Sequence, residues 1–123
     1  MRLPRILIAV PLIAAGAFAP ALGRAPAKAP PGVVGMAHET FTTDEIAIRR
    51  GATVTFVNDS RYMHIIGPGH DGNLLEAAGE PMHRRVLSEE GDRYTTPPFN
   101  EPGTYQFACR IHPEMNVKIV VSG

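Results

Sequence analysis

From residue 33 onward the chain alternates apolar and polar side chains in short runs, the period of two that turns one face of a strand toward a core. Glu45-Ile46-Ala47-Ile48-Arg49 and Thr53-Val54-Thr55-Phe56-Val57 alternate in this way. Runs at 33–39, 64–66, 83–87, 104–109 and 117–121 are rich in β-branched or aromatic residues, which favour strands. Gly51, Asn58-Asp59-Ser60, Gly67-Pro68-Gly69, Glu90-Gly91-Asp92, Pro97-Pro98 and Glu101-Pro102-Gly103 punctuate them as turns. One or two helical turns are expected over 73–78, and no long run has the 3.6 period of a helix. Short strands at this spacing predict an all-β fold, an antiparallel sandwich or barrel.

The first residues follow different rules. Arg2 and Arg5 precede an uncharged run over 6–23 that is rich in Ala, Ile and Leu and broken by Pro11, Gly16 and Pro20. A cationic start, an apolar stretch and small residues at Ala21 and Gly23 form a secretory signal, with cleavage expected after Gly23. Left uncleaved, the same stretch would tether the chain to a membrane. Residues 24–31 are an Ala/Pro/Lys run without apolar period and read as a linker, which leaves 32–123 as the folded domain. The expected location is outside the cytoplasm, whether periplasmic, in the cell envelope or secreted.

Composition removes whole classes of function. At 123 residues the chain has room for one core, and 44% hydrophobic residues exclude simple disorder. Lys and Arg balance Asp and Glu, and no basic run exceeds a pair, so nothing marks a nucleic-acid partner. Gly67-Pro68-Gly69-His70-Asp71-Gly72 has the spacing of a dinucleotide-binding loop. The apolar segment after it stops at Gly79, too soon for a crossover helix. No Ser/His/Asp arrangement and no paired carboxylates in an apolar setting point to a hydrolase, and no enzymatic activity is expected.

The single cysteine is the informative residue. In an exported chain it cannot form an internal disulfide, which leaves a buried inert thiol, a link between chains or a metal ligand. Cys109 closes the strand at 104–109 and opens Cys109-Arg110-Ile111-His112-Pro113-Glu114-Met115, so thiolate, imidazole and thioether come from one tight loop. With a second imidazole these form the His₂Cys set with a weak axial Met that suits copper. His64, after the 53–57 strand and a polar loop, supplies that imidazole. Structural zinc prefers two or more thiolates and rarely takes Met.

The combination of Val54-Thr55-Phe56-Val57-Asn58-Asp59, His64, Phe99, Pro102-Gly103-Thr104-Tyr105, Phe107, Cys109, His112-Pro113 and Met115 resembles the cupredoxins, the small type 1 blue-copper proteins. The resemblance covers about residues 33–122, and the ligand-loop spacing is closest to amicyanin. It implies a cupredoxin-like Greek-key β-sandwich, one copper ion cycling between Cu(I) and Cu(II) on His64, Cys109, His112 and Met115, and one-electron transfer with a transient protein partner. A monomer is expected. The alternative is a copper carrier or buffer, using these ligands or a second set drawn from Met36, His38, Met63, His70, Met82 and His83.

Two positions depart from the family pattern. Ile65 stands where Asn commonly braces the ligand loop, and Ile111 stands where amicyanin-like loops often carry Pro. The second change retains an N–H that is expected to reach the Cys109 sulfur and raise the reduction potential. The edge of His112, with Ile111, Pro113 and Pro68 around it, is the expected route for electrons.

Overall fold

The computed structural model describes residues 29–75 and 82–123. The expected signal at 1–23 and most of the linker lie outside the described residues, as do residues 76–78 of the expected helical turns. Strands β1 (Gly32–Met36), β2 (Glu45–Arg49), β3 (Val54–Asn58), β4 (His64–His70), β5 (Asn73–Leu74), β6 (Arg85–Leu87), β7 (Arg93–Thr95), β8 (Gly103–Cys109) and β9 (Asn116–Ser122) carry the fold. They form a three-stranded sheet ordered β1-β3-β7 and a six-stranded sheet ordered β2-β9-β8-β4-β5, with β6 on β4. Consecutive strands β1 to β4 alternate between the sheets, so the two faces are stitched together by contacts distant in sequence. The pairs β1 with β3 and β2 with β9 are parallel, which makes both sheets mixed where the turn pattern predicted antiparallel pairing throughout. Connections that cross between sheets free neighbours within a sheet from hairpin geometry.

The period-two reading holds in β2, in β9 and through the first three residues of β3, whereas β4 and the end of β8 are buried on both faces. In β3, Val54 and Phe56 are buried while Thr55 faces out to meet Thr95 hydroxyl to hydroxyl at 2.8 Å. In β9, Val117, Ile119 and Val121 point inward and Lys118 outward. The core is built on aromatic edges: Phe107 meets Phe56 at 5.7 Å and Phe99 at 6.2 Å, and Phe41 meets Phe56 at 6.2 Å. Each such ring removes about 150–250 Å² from water. Ala29 packs against this core, ahead of the first strand.

Turn chemistry explains the departures. β4 runs straight through Gly67-Pro68-Gly69, where a turn was expected; Pro68 pairs with Phe107, and its carbonyl accepts a hydrogen bond from the Leu75 amide at 2.7 Å. The chain turns at Asp71-Gly72 instead, with φ of 51° and 82° between His70 and its partner Asn73. Two positive φ values in a two-residue loop define the primed hairpin turn for which Asp-Gly is suited. That hairpin places Asn73 and Leu74 in β5 rather than in a helical turn. A Cβ on Gly69 would collide with the Asn73 carbonyl, so the glycine permits the close return of the chain. β7 escaped the sequence reading because Arg93-Tyr94-Thr95 is polar and short. It stands at a sheet edge and packs only Tyr94 against the core.

Candidate metal centre

The site lies at one end of the sandwich and follows from strand register. Cys109 closes β8 opposite Ile66 of β4, and His64 stands two residues earlier on β4, on the same face. Diagonal neighbours across a pair of strands are within side-chain reach. The Cys109 sulfur lies 3.8 Å from His64 Nδ1, although 45 residues separate the two in sequence. The third donor comes from the loop after β8. The Met115 amide donates to the His112 carbonyl at 2.9 Å and the Cys109 amide to the Met115 carbonyl at 3.4 Å, closing a tight loop. This turns His112 back so that its Nδ1 stands 3.6 Å from the same sulfur. The donor atoms of His64, Cys109 and His112 all lie within 4.8 Å of one another. Cys109, His64 and Met115 are fully buried, and His112 is partly exposed.

Hydrogen bonds select the tautomer of His64. Its Nε2 lies 3.1 Å from the Ser60 hydroxyl, whose proton has acceptors at Asn58 Oδ1 (2.9 Å) and the Tyr62 carbonyl (3.4 Å). With that proton spent, the hydroxyl oxygen accepts from the Nε2–H. The single proton of a neutral imidazole is therefore on Nε2, and the Nδ1 lone pair faces the sulfur. Burial, and next the neighbouring His112, lower the His64 pKa from 6.5 to about 4. His64 is thus neutral and ready as a ligand across the physiological range.

The donor set fits copper. A single ion could touch all three donors, because each imidazole nitrogen lies within 3.8 Å of the same sulfur. One cysteine sulfur and two imidazoles match a soft ion better than a hard one. Comparison with known proteins agrees: residues 33–122 match the copper binding proteins of the plastocyanin/azurin family. The chain belongs to that family. The amicyanin-alpha of Methylorubrum extorquens is 34% identical over 92 residues, which are 72% of this chain and 69% of that protein. The amicyanin of Paracoccus versutus is 30% identical over 89 residues, and the match spans 63% of its length. Among solved structures, the reduced Cu(I) form at pH 4 of an amicyanin variant superposes with a TM-score of 0.60 at 27% identity. That match covers 75% of this chain and 82% of the other. A purple cupredoxin from Nitrosopumilus maritimus shares the fold, with a TM-score of 0.62 at 23% identity over 74% of this chain and 99% of that one. The present chain is thus a cupredoxin, a copper protein of electron transfer.

Sequence reasoning missed the groups that hold the cupredoxin's buried imidazole. Asn58 is fully buried; its Nδ2 donates to the Tyr62 carbonyl (2.8 Å) and the Leu87 carbonyl (3.2 Å), and its Oδ1 accepts from the Ser60 amide and hydroxyl. An Asn closing a strand six residues before a candidate ligand was the available signal, but Asn58-Asp59-Ser60 reads equally as a turn. The side-chain brace absent at Ile65 has a backbone counterpart, since the Arg110 amide donates to the Ile65 carbonyl at 2.7 Å. Among the described residues the hydrogen-bond partners of the Cys109 sulfur are the two imidazoles, and the Ile111 amide is not one of them. Pro68 is buried in β4 and forms no part of the surface near His112. The scattered His and Met do not gather either: Met36 and Met82 are core, and His70 pairs with Asp71 at the surface. Among the described residues one group of three His, Cys or carboxylate donors comes together, the one at Cys109.

Proposed function

We propose that this cupredoxin is an exported, monomeric one-electron carrier whose copper ligands are His64, Cys109, His112 and Met115. The observation that carries the reading is the convergence of two Nδ1 atoms and one Sγ within 4.8 Å at the end of a β-sandwich. Copper, when bound, supplies the one-electron couple. The chain's own contribution is rigidity and access. His64 and Cys109 sit on paired strands in the core, so neither moves when the charge of the site changes, and little reorganisation accompanies transfer. Of the three converged donors, only His112 reaches the surface. Ile111, 42% exposed, and Pro113 flank it, and Met63 next to His64 is 44% exposed. Such an apolar rim suits brief docking of a redox partner without charge pairing. In contrast to Ile111 and Pro113, Glu114 adds charge: its own backbone amide holds its carboxyl below the usual range.

Reconstitution with Cu(II) tests the ligands. The protein develops an intense visible thiolate-to-copper charge-transfer band with one equivalent of copper, and Cys109→Ser abolishes it. A colourless one-to-one complex, or a band that survives the substitution, would overturn the assignment. Export is supported by Arg2, Arg5 and the apolar run that follows them. Mass spectrometry of the mature protein is expected to find a chain beginning at Arg24 or within a few residues of it, and recovery of the full chain in membranes would favour a tether.

A further inference from the structure

Two segments outside the ligand loop converge on the exposed imidazole. The chain leaves β1 into a turn closed by the Ala37 amide donating to the Thr40 carbonyl at 2.8 Å and by the Met36 to Phe41 bridge, and this turn presents His38. The loop between β3 and β4 presents Tyr62, whose backbone is pinned at both ends. Its carbonyl accepts from Asn58 Nδ2 at 2.8 Å, and its amide donates to the Ser60 hydroxyl at 3.2 Å. The Tyr62 and His38 rings stack with centroids 3.6 Å apart and planes 15° from parallel. His38 in turn meets the His112 ring edge to face, at 5.5 Å and 84°. The same turn brings the Ala37 backbone to His64. One dipeptide therefore touches both imidazoles of the site, through its backbone on the buried side and through its ring on the exposed side.

An imidazole in a surface loop turns about its Cβ–Cγ bond unless its faces or edges are blocked. Within the site, His112 meets the His64 ring at 5.2 Å and the Cys109 sulfur at 3.6 Å. His38 adds a contact from the turn after β1, and Tyr62 holds His38 in place by stacking on its ring. A stacked pair of partly exposed rings loses side-chain freedom, and the pinned Tyr62 backbone makes the ordering less costly because the loop is already fixed.

We propose that His38, backed by Tyr62, is a positioning residue for His112, holding the ring so that Nδ1 stays aimed at the Cys109 sulfur and the loop arm of the site opens slowly. The proposal rests on His112 being a copper ligand, and the experiment separates the two. The full chain is loaded with copper as wild type and as His38→Ala, His38→Phe, Tyr62→Ala and His112→Ala. Visible and EPR spectra are recorded, and the reduced proteins are mixed with excess Cu(I) chelator. An aromatic contact of this kind corresponds to about a two- to tenfold change in rate. His38→Ala is expected to speed copper loss by that factor and to change the copper hyperfine splitting, with a smaller effect for Tyr62→Ala and near-wild-type behaviour for His38→Phe, which keeps a ring edge. Copper loss at the wild-type rate with unchanged spectra in both alanine variants, while His112→Ala bleaches the protein, would overturn the positioning role and leave the ligand intact. Equal acceleration in His38→Ala and His38→Phe would also overturn it, because the ring edge would then not be the agent. A band that persists in His112→Ala would overturn the ligand and the positioning role together.

Discussion

The two imidazoles at the metal centre stand in opposite surroundings. His64 is borne by a strand, fully buried, and held through Ser60 and Asn58. His112 is borne by a loop, partly exposed, and restrained by the two neighbouring histidine rings. The buried ligand is part of the folding core, and its environment selects both tautomer and charge before any metal arrives. The loop ligand is where the molecule meets other molecules. Separating the tasks lets the protein keep one half of the site rigid while exposing the other.

The largest test of that contrast is Asn58→Ala. It removes four hydrogen bonds and leaves the Tyr62 and Leu87 carbonyls without that donor, with Leu87 nearly fully buried. Denaturant unfolding of the copper-free protein is expected to show a loss of about 2–4 kcal/mol. A loss below about 1 kcal/mol would mean that the buried network is replaceable by water.

The next effect is a pH slope. Above pH 6.5, His64 is neutral in both folded and unfolded chains and contributes nothing to pH dependence. Below it the unfolded chain takes up a proton that the folded chain, with its pKa of about 4, refuses, so stability falls as pH falls. The loss accumulates between pH 6.5 and about 4 and reaches roughly 3 kcal/mol. Denaturant titrations of the copper-free protein at stepped pH measure it, and His64→Phe should flatten the slope. A slope unchanged in that variant would place the proton uptake elsewhere.

The smallest effect is expected on the exposed side. His112→Ala in the copper-free protein should change stability by less than about 1 kcal/mol, since a partly exposed loop side chain gives up little on truncation. A cost as large as that of Asn58→Ala would make the loop part of the core and erase the contrast.

Much of this was legible in the sequence, because the signals were local. Alternation in Glu45–Arg49 and Val54–Asn58 places one face of a strand on a core whichever partner it finds. Cys109, His112 and Met115 share one short loop, so their spacing needs no tertiary information. Where tertiary pairing overrode a local signal, the reading went astray: a turn was expected at Gly67-Pro68-Gly69 and not at Asp71-Gly72. Pairing of β4 with β8 kept the first extended, and positive φ values bent the second.

Residue types and their spacing alone thus determined the all-β class, the donor loop and the soft chemistry of the ligand set. Tertiary structure alone decided which proton His64 carries, which imidazole meets solvent, and what leans on it. Those outcomes depend on register and on polar contacts between segments far apart in the chain: His64 to Cys109 across 45 residues, Asn58 to Leu87 across 29, and the His38 turn against the loop at 109–115. A hydrogen bond or ring contact of that kind exists only once both sheets have closed, and no local pattern of apolar and polar residues encodes it.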